Sequence, residues 1–247
     1  MTSKILCQIL LVCYNTDMSV VEKIKNKVII SVQAMPSEPL YNEVCMKAMM
    51  SSVVKGGAQA LRLAGERDIK NAKAMFKDII VIGLTKPDVI PKNWMSIVYI
   101  TPAIEDARLL INAGADIIAF DGTSRPRPKE DLRKLIKYIK MHNKVAMADV
   151  STVAEGIAAR ALGADIISTT LSGYTQESKS DLTTPDFDML EKLVKVLNCP
   201  VVLEGRIWTV EEVNKAFELG AHAVVIGSAV TRPQLITKRF CSRGLKK

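Results

Sequence analysis

The sequence predicts a single α/β domain, a (β/α)8 TIM barrel of the phosphate-binding type, and three observations carry that expectation. From residue 28 onward, short apolar runs alternate with longer amphipathic segments, as in parallel strands joined by helices. A Gly-Ala motif recurs at Gly57, Gly114, Gly163 and Gly220, at intervals of 57, 49 and 57 residues. Each interval holds two βα units of ~25–30 residues, so four copies imply eight units. The length of 247 residues is that of one such barrel, ~250.

The apolar runs are Val28–Val32, Ala60–Leu63, Ile79–Leu84, Ile117–Phe120, Val145–Ala148, Ile166–Ser168, Val201–Leu203 and Ala223–Ile226. A further run, Ile97–Ile100, follows the Pro-containing loop Lys86–Met95 and is expected to be an extra strand outside the barrel. Helices are expected between these runs, for example over Glu43–Lys55, Ile104–Asn112, Lys129–Met141, Thr152–Leu162, Phe187–Leu197 and Val210–Leu219. Several end in Gly or Gly-Ala, a usual helix stop. Thr209 with Glu212 three residues on predicts a capping box.

Composition narrows the function classes. With 48% hydrophobic and 24% charged residues the chain is neither disordered nor of low complexity. No apolar run reaches the ~18 residues of a membrane span. Lys plus Arg number 34 against 26 Asp plus Glu, a formal charge of +8, but the basic residues are scattered, so nucleic acid is not the expected partner. The cysteines Cys7, Cys13, Cys45, Cys199 and Cys241 form no CxxC, which argues against disulfides or zinc and for a reducing, cytoplasmic setting. The two histidines, His142 and His222, cannot make a His-rich metal centre. Acid–base chemistry therefore falls to Lys, Asp, Glu, Tyr or Cys. Residues 1–17 are expected to be an N-terminal extension, or to precede the natural start at Met18, with the barrel occupying 18–247.

A barrel carries its site at the C-terminal ends of its strands. Those positions hold Gln33, Arg62, Lys86, Asp121, Asp149, Thr169–Thr170, Glu204–Arg206 and Gly227–Ser228. Glu204-Gly205-Arg206 and Gly227-Ser228-Ala229 close the last two strands, where this fold binds phosphate through backbone N–H groups and a short helix; Arg206 can add a charged contact. Lys86 can be a general base, a Schiff-base nucleophile or a surface lysine. Asp121 can cap a turn or hold sugar hydroxyls, and Asp149-Val150-Ser151-Thr152 reads as a helix cap. Arg125-Pro126-Arg127-Pro128 is either a stiff loop over the site or an exposed basic loop.

With these residues in view, the chain resembles the N-acetylmannosamine-6-phosphate 2-epimerase family of bacterial sialic-acid catabolism. The resemblance runs from about Val28 to Phe240 and is most specific at Ser168–Thr175, Glu204–Ile207, Thr231–Gln234 and Ile236–Phe240; Met147–Thr152 and Ser31–Ala34 also fit. It implies a barrel that interconverts N-acetylmannosamine 6-phosphate and N-acetylglucosamine 6-phosphate with no metal or organic cofactor, as a homodimer. Its catalytic lysine falls on Lys86 and its catalytic carboxylate on Glu204. Sugar contacts fall on Gln33, Arg62 and Asp121, and the phosphate site on Gly205, Arg206, Gly227 and Ser228. The chain departs from the family pattern at Val32 (usually Cys), at Pro87 (usually basic or polar), at Ser228 (usually Gly) and in a longer Pro87–Met95 loop. Pro87 restricts the backbone of Lys86. Two other readings remain: a barrel aldolase or isomerase using Lys86 as a Schiff base, and a silent phosphosugar sensor.

Overall fold

The computed structural model describes residues 20–127, 131–181 and 183–243. Eight parallel strands close in sequence order: β1 (Lys27–Val32), β2 (Ala60–Ala64), β3 (Ile80–Leu84), β4 (Ile117–Asp121), β5 (Val145–Asp149), β6 (Ile166–Ser168), β7 (Val201–Glu204) and β8 (Ala223–Ile226). The last pairs with the first, Val28 opposite Val224 and Ile30 opposite Ile226. Around them lie α1 (Glu43–Lys55), α2 (Glu66–Met75), α3 (Ile104–Asn112), α4 (Leu132–Met141), α5 (Val153–Ala161), α6 (Phe187–Val196), α7 (Val210–Glu218), α8 (Ser228–Thr231) and α9 (Pro233–Arg243).

Because side chains alternate along a strand, each strand feeds two cores. Ile30, Leu61, Leu63, Val81, Ile118, Phe120, Ala146 and Ile167 pack outward with helix residues such as Met50, Leu110, Ile136 and Leu193. Ile29, Ala60, Ile82, Ile117, Ala119, Met147, Ile166, Val202 and Val225 fill the barrel, closed below by Ile24. Fully burying one such side chain contributes about 1.5–3 kcal/mol. The same alternation carries Ser31, Arg62, Asp121, Asp149, Ser168 and Glu204 above that apolar filling.

Local chemistry sets the element ends. Glycines 57, 114, 163 and 220 all take positive φ, from 89° to 106°, a left-handed helix exit that a Cβ disfavours; this is what the Gly-Ala repeat encodes. Thr209 and Glu212 form the expected capping box, and Thr152 with Glu155 forms another. At Gly83 on β3 an added Cβ would stand 2.8 Å from Ile69 and 2.9 Å from Ala115, so helices pack there because the strand has no side chain.

Two expectations change. Ile97–Ile100 is no strand: Val98 and Ile100 are buried, but the segment crosses the rim irregularly, with Val98 N–H on Pro126 O and Ile100 O accepting from Asp121 N–H. Helix α2 docks with little apolar surface, Ile69 and Ala72 being its only buried apolar residues. Helix α4 begins at Leu132 after the cap Asp131, and the expected start at Lys129 lies outside the described residues, as does the extension over 1–17.

Candidate active site

A cavity of about 430 Å³ opens at the C-terminal ends of the strands. Gln33, Lys86, Glu204, Gly205, Arg206, Gly227 and Ser228 line it together, so seven of the nine residues expected at the site meet there. Arg62 lies just beneath, in an ion pair with Glu204 of the wall. Asp121 does not reach the cavity. It is fully buried, its carboxylate taken by Arg125 and by the hydroxyl and N–H of Thr123 at 2.6 and 3.0 Å. Burial pushes its carboxyl up and Arg125 opposes this. The Arg125–Arg127 segment is thus a stiff internal brace, Arg127 also donating to Asp121 O.

Lys86 is held where a base is useful. Thr85 N–H donates to Thr101 Oγ1 and Thr85 Oγ1 to Asp106, fixing the strand exit. From there the ammonium donates to Gln33 Oε1 at 2.9 Å. Pro87 has not turned the amine away. Burial, helped by the positive charges of Arg62 and Arg232 and opposed by Glu204, lowers the Lys86 pKa to about 8.

The carboxylates are organised by Arg62. Its Nη2 meets Asp149 Oδ2 at 2.5 Å and its Nε lies 3.2 Å from Glu204 Oε2. Asp149 is therefore a buried counter-ion and not a helix cap; the cap of α5 is Thr152. Burial pushes Glu204 up from the usual carboxylate range, Arg62 pulls it back, and the Asp149 charge adds to the rise. Thr169 Oγ1 fixes the Glu204 backbone through both its N–H and C=O at 3.1 Å.

Arg206, on the cavity wall, also acts as a clamp. Its guanidinium donates to Ser172 O and Thr184 O, each at 2.8 Å, and lies over Tyr174, pinning the loop after β6. That loop also meets the long β3 loop, Trp94 facing Tyr174 at 6.5 Å, and Arg125 Nη1 donates to Trp94 O at 2.7 Å. Val32 is core and not site. Ser31, Tyr99 and Arg232 line the cavity although no role was expected for them. Ser31 was findable as the residue two before Gln33 on the same strand face. Arg232 was findable within Thr231–Gln234; it pairs with Glu38 at 2.9 Å. Among the described residues no group of three or more His, Cys, Asp or Glu could hold a metal ion, and no helix is long and apolar enough to cross a membrane.

A closed barrel whose mouth sets a weakened ammonium beside a carboxyl that resists ionisation carries the groups an acid–base enzyme uses. Residues 46–245 match the family model described as "Putative N-acetylmannosamine-6-phosphate epimerase". A "Putative N-acetylmannosamine-6-phosphate 2-epimerase" of Clostridioides difficile is 44% identical, covering 89% of this chain and 96% of its own. The solved N-acetylmannosamine-6-phosphate 2-epimerase from Clostridium perfringens superposes with a TM-score of 0.85 at 42% identity, over 90% of this chain and 95% of that one. The chain belongs to this epimerase family. A thiamine phosphate pyrophosphorylase from Pyrococcus furiosus shares the fold at TM-score 0.59 and 16% identity, over 89% and 93% of the chains.

Proposed function

We propose that this protein interconverts N-acetylmannosamine 6-phosphate and N-acetylglucosamine 6-phosphate by moving the proton at C2. The observation that carries this reading is the Lys86 amine, with a pKa near 8, held on Gln33 in a cavity it shares with Glu204. The C2 proton is acidic only when C1 is a carbonyl, so the open-chain sugar reacts. Unprotonated Lys86 takes that proton. Glu204, whose carboxyl burial pushes up, donates to the C1 oxygen as it gains charge. A solvent-derived proton then reaches C2 from the opposite face, while the enol hydroxyl returns its proton to Glu204 and Lys86 releases its own to solvent. Two well-placed acid–base groups typically give ~10²–10⁴-fold each. Gly205, Gly227 and Ser228 offer backbone to the 6-phosphate, with Arg232 as the nearby cation.

Proton NMR of N-acetylmannosamine 6-phosphate in D₂O, with Lys86→Ala beside the wild type, tests this. The gluco epimer deuterated at C2, lost in the variant, is the expected result; unchanged epimerisation without Lys86 would refute its role. Borohydride trapping of substrate on Lys86 would instead mark a Schiff-base enzyme. The homodimer that the family resemblance implies is checked by sedimentation velocity.

A further inference from the structure

We propose that Thr170 is a hydroxyl bridge that ties Glu204 to Asp149 and keeps Glu204 loaded with the proton it delivers. Thr170 Oγ1 has three polar neighbours: Asp149 Oδ1 at 2.8 Å, Glu204 Oε2 at 3.0 Å and Ser168 Oγ at 2.8 Å. A threonine hydroxyl has one hydrogen and two lone pairs, so it cannot donate to both carboxyl groups at once. Asp149 is the one paired in line with a guanidinium. It has no solvent exposure, and its second oxygen receives Arg62 Nη2 at 2.5 Å. Arg62 reaches Glu204 only through Nε at 3.2 Å, which is out of line for a hydrogen bond and has no other partner among the described residues.

One arrangement satisfies every contact. Ser168 donates to Thr170, Glu204 Oε2–H donates to Thr170, and Thr170 donates to Asp149. When Glu204 passes its proton to the substrate oxygen, the Thr170 hydrogen swings from Asp149 to the new carboxylate. No proton crosses between the two acids, and Arg62 still answers the Asp149 charge. A hydrogen bond given by Thr170 to Glu204 would hold that carboxyl down. With its one hydrogen committed to Asp149 that hold is withheld, and the ionised arrangement holds one hydrogen bond fewer, so the bridge favours the loaded acid. The charged groups facing Glu204 are Arg62 from β2, Asp149 from β5 and Lys86 after β3, with Arg232 beside Lys86, and none is altered by changing Thr170. Thr170 is thus a positioning residue; its catalytic consequence rests on the acid role proposed above for Glu204.

The test is Thr170→Val, which keeps the shape and removes the hydroxyl, beside Thr170→Ser, which keeps the hydroxyl. The Glu204 carboxyl is titrated by carbon-13 NMR of glutamate-labelled full-length protein, its resonance identified by its loss in Glu204→Gln. The expected result is a Glu204 pKa about one unit lower in the valine variant, the scale of one hydrogen bond, restored by serine. In the same variant kcat falls about tenfold with KM within about twofold, and serine recovers it. A Glu204 titration unmoved or raised without the hydroxyl overturns the proposal. Thr170→Ala answers the same question if the valine chain does not fold. The titration needs no turnover, so it decides the bridge even if the epimerase reading fails.

Discussion

At the scale of the residue, the same burial that makes Lys86 a usable base makes it a burden on the fold. An unperturbed lysine has a pKa near 10.4; at about 8, about a tenth of the chains carry the free amine at pH 7. Turnover limited by that amine rises with pH through about 8, which a kcat profile at saturating substrate checks. The native pKa lies below the unfolded one, so the native state binds fewer protons between about 8 and 10.4. Stability from this group therefore rises with pH across that window and is lowest below it. Lys86→Met is expected to cut turnover by at least ~10²-fold while raising the melting temperature by about 3 °C at pH 7, as calorimetry would show. Arg62 is the opposite case. Arg62→Met leaves Asp149 buried and unpaired, a loss of about 3–5 kcal/mol to be read from urea unfolding. The placement of Lys86 and Glu204 at the cavity was legible because both stand where strands end. The role of Asp149 was not, because a cap and a buried counter-ion are written alike: only the long-range partner, Arg62, distinguishes them.

At the scale of the element, strands read clearly because a parallel strand buried on both faces must be apolar throughout. Ile97–Ile100 has that composition and is buried too, yet it finds no neighbouring edge in a closed sheet, so composition alone misleads. Helix α2 shows the converse: a short helix lying where β3 has Gly83 needs little apolar surface to dock. Filling that site, Gly83→Ala, is expected to cost about 1–3 kcal/mol, whereas Thr209→Ala at the cap of α7 should cost about 1 kcal/mol; both are checked by chemical denaturation. The Arg206 clamp and the Trp94–Tyr174 contact join the loops after β3 and β6, a tie that no local pattern displays. Arg206→Ala is therefore expected to act as a loop variant, raising KM about tenfold or more as the cavity wall loosens, with a smaller effect on kcat in steady-state kinetics.

At the scale of the whole molecule, the formal charge of +8 is spread over the surface and suits a small dianion better than a polymer. The expected sign is a kcat/KM that falls several-fold as salt is raised from low to high ionic strength, as steering is screened. The interior charges have a different consequence. Asp121 and Asp149 are opposite one another across β4 and β5, yet their arginines come from different places: Arg125 lies four residues after its partner, while Arg62 and Asp149 are 87 residues apart. The first pair can form as soon as β4 is made. The second cannot form until β2 and β5 face each other across the assembled ring. Any arrangement that stops at half a ring leaves a guanidinium and a carboxylate stranded on opposite fragments. The pair that lies beneath the mouth thereby also penalises the partly built molecule and favours the completed ring.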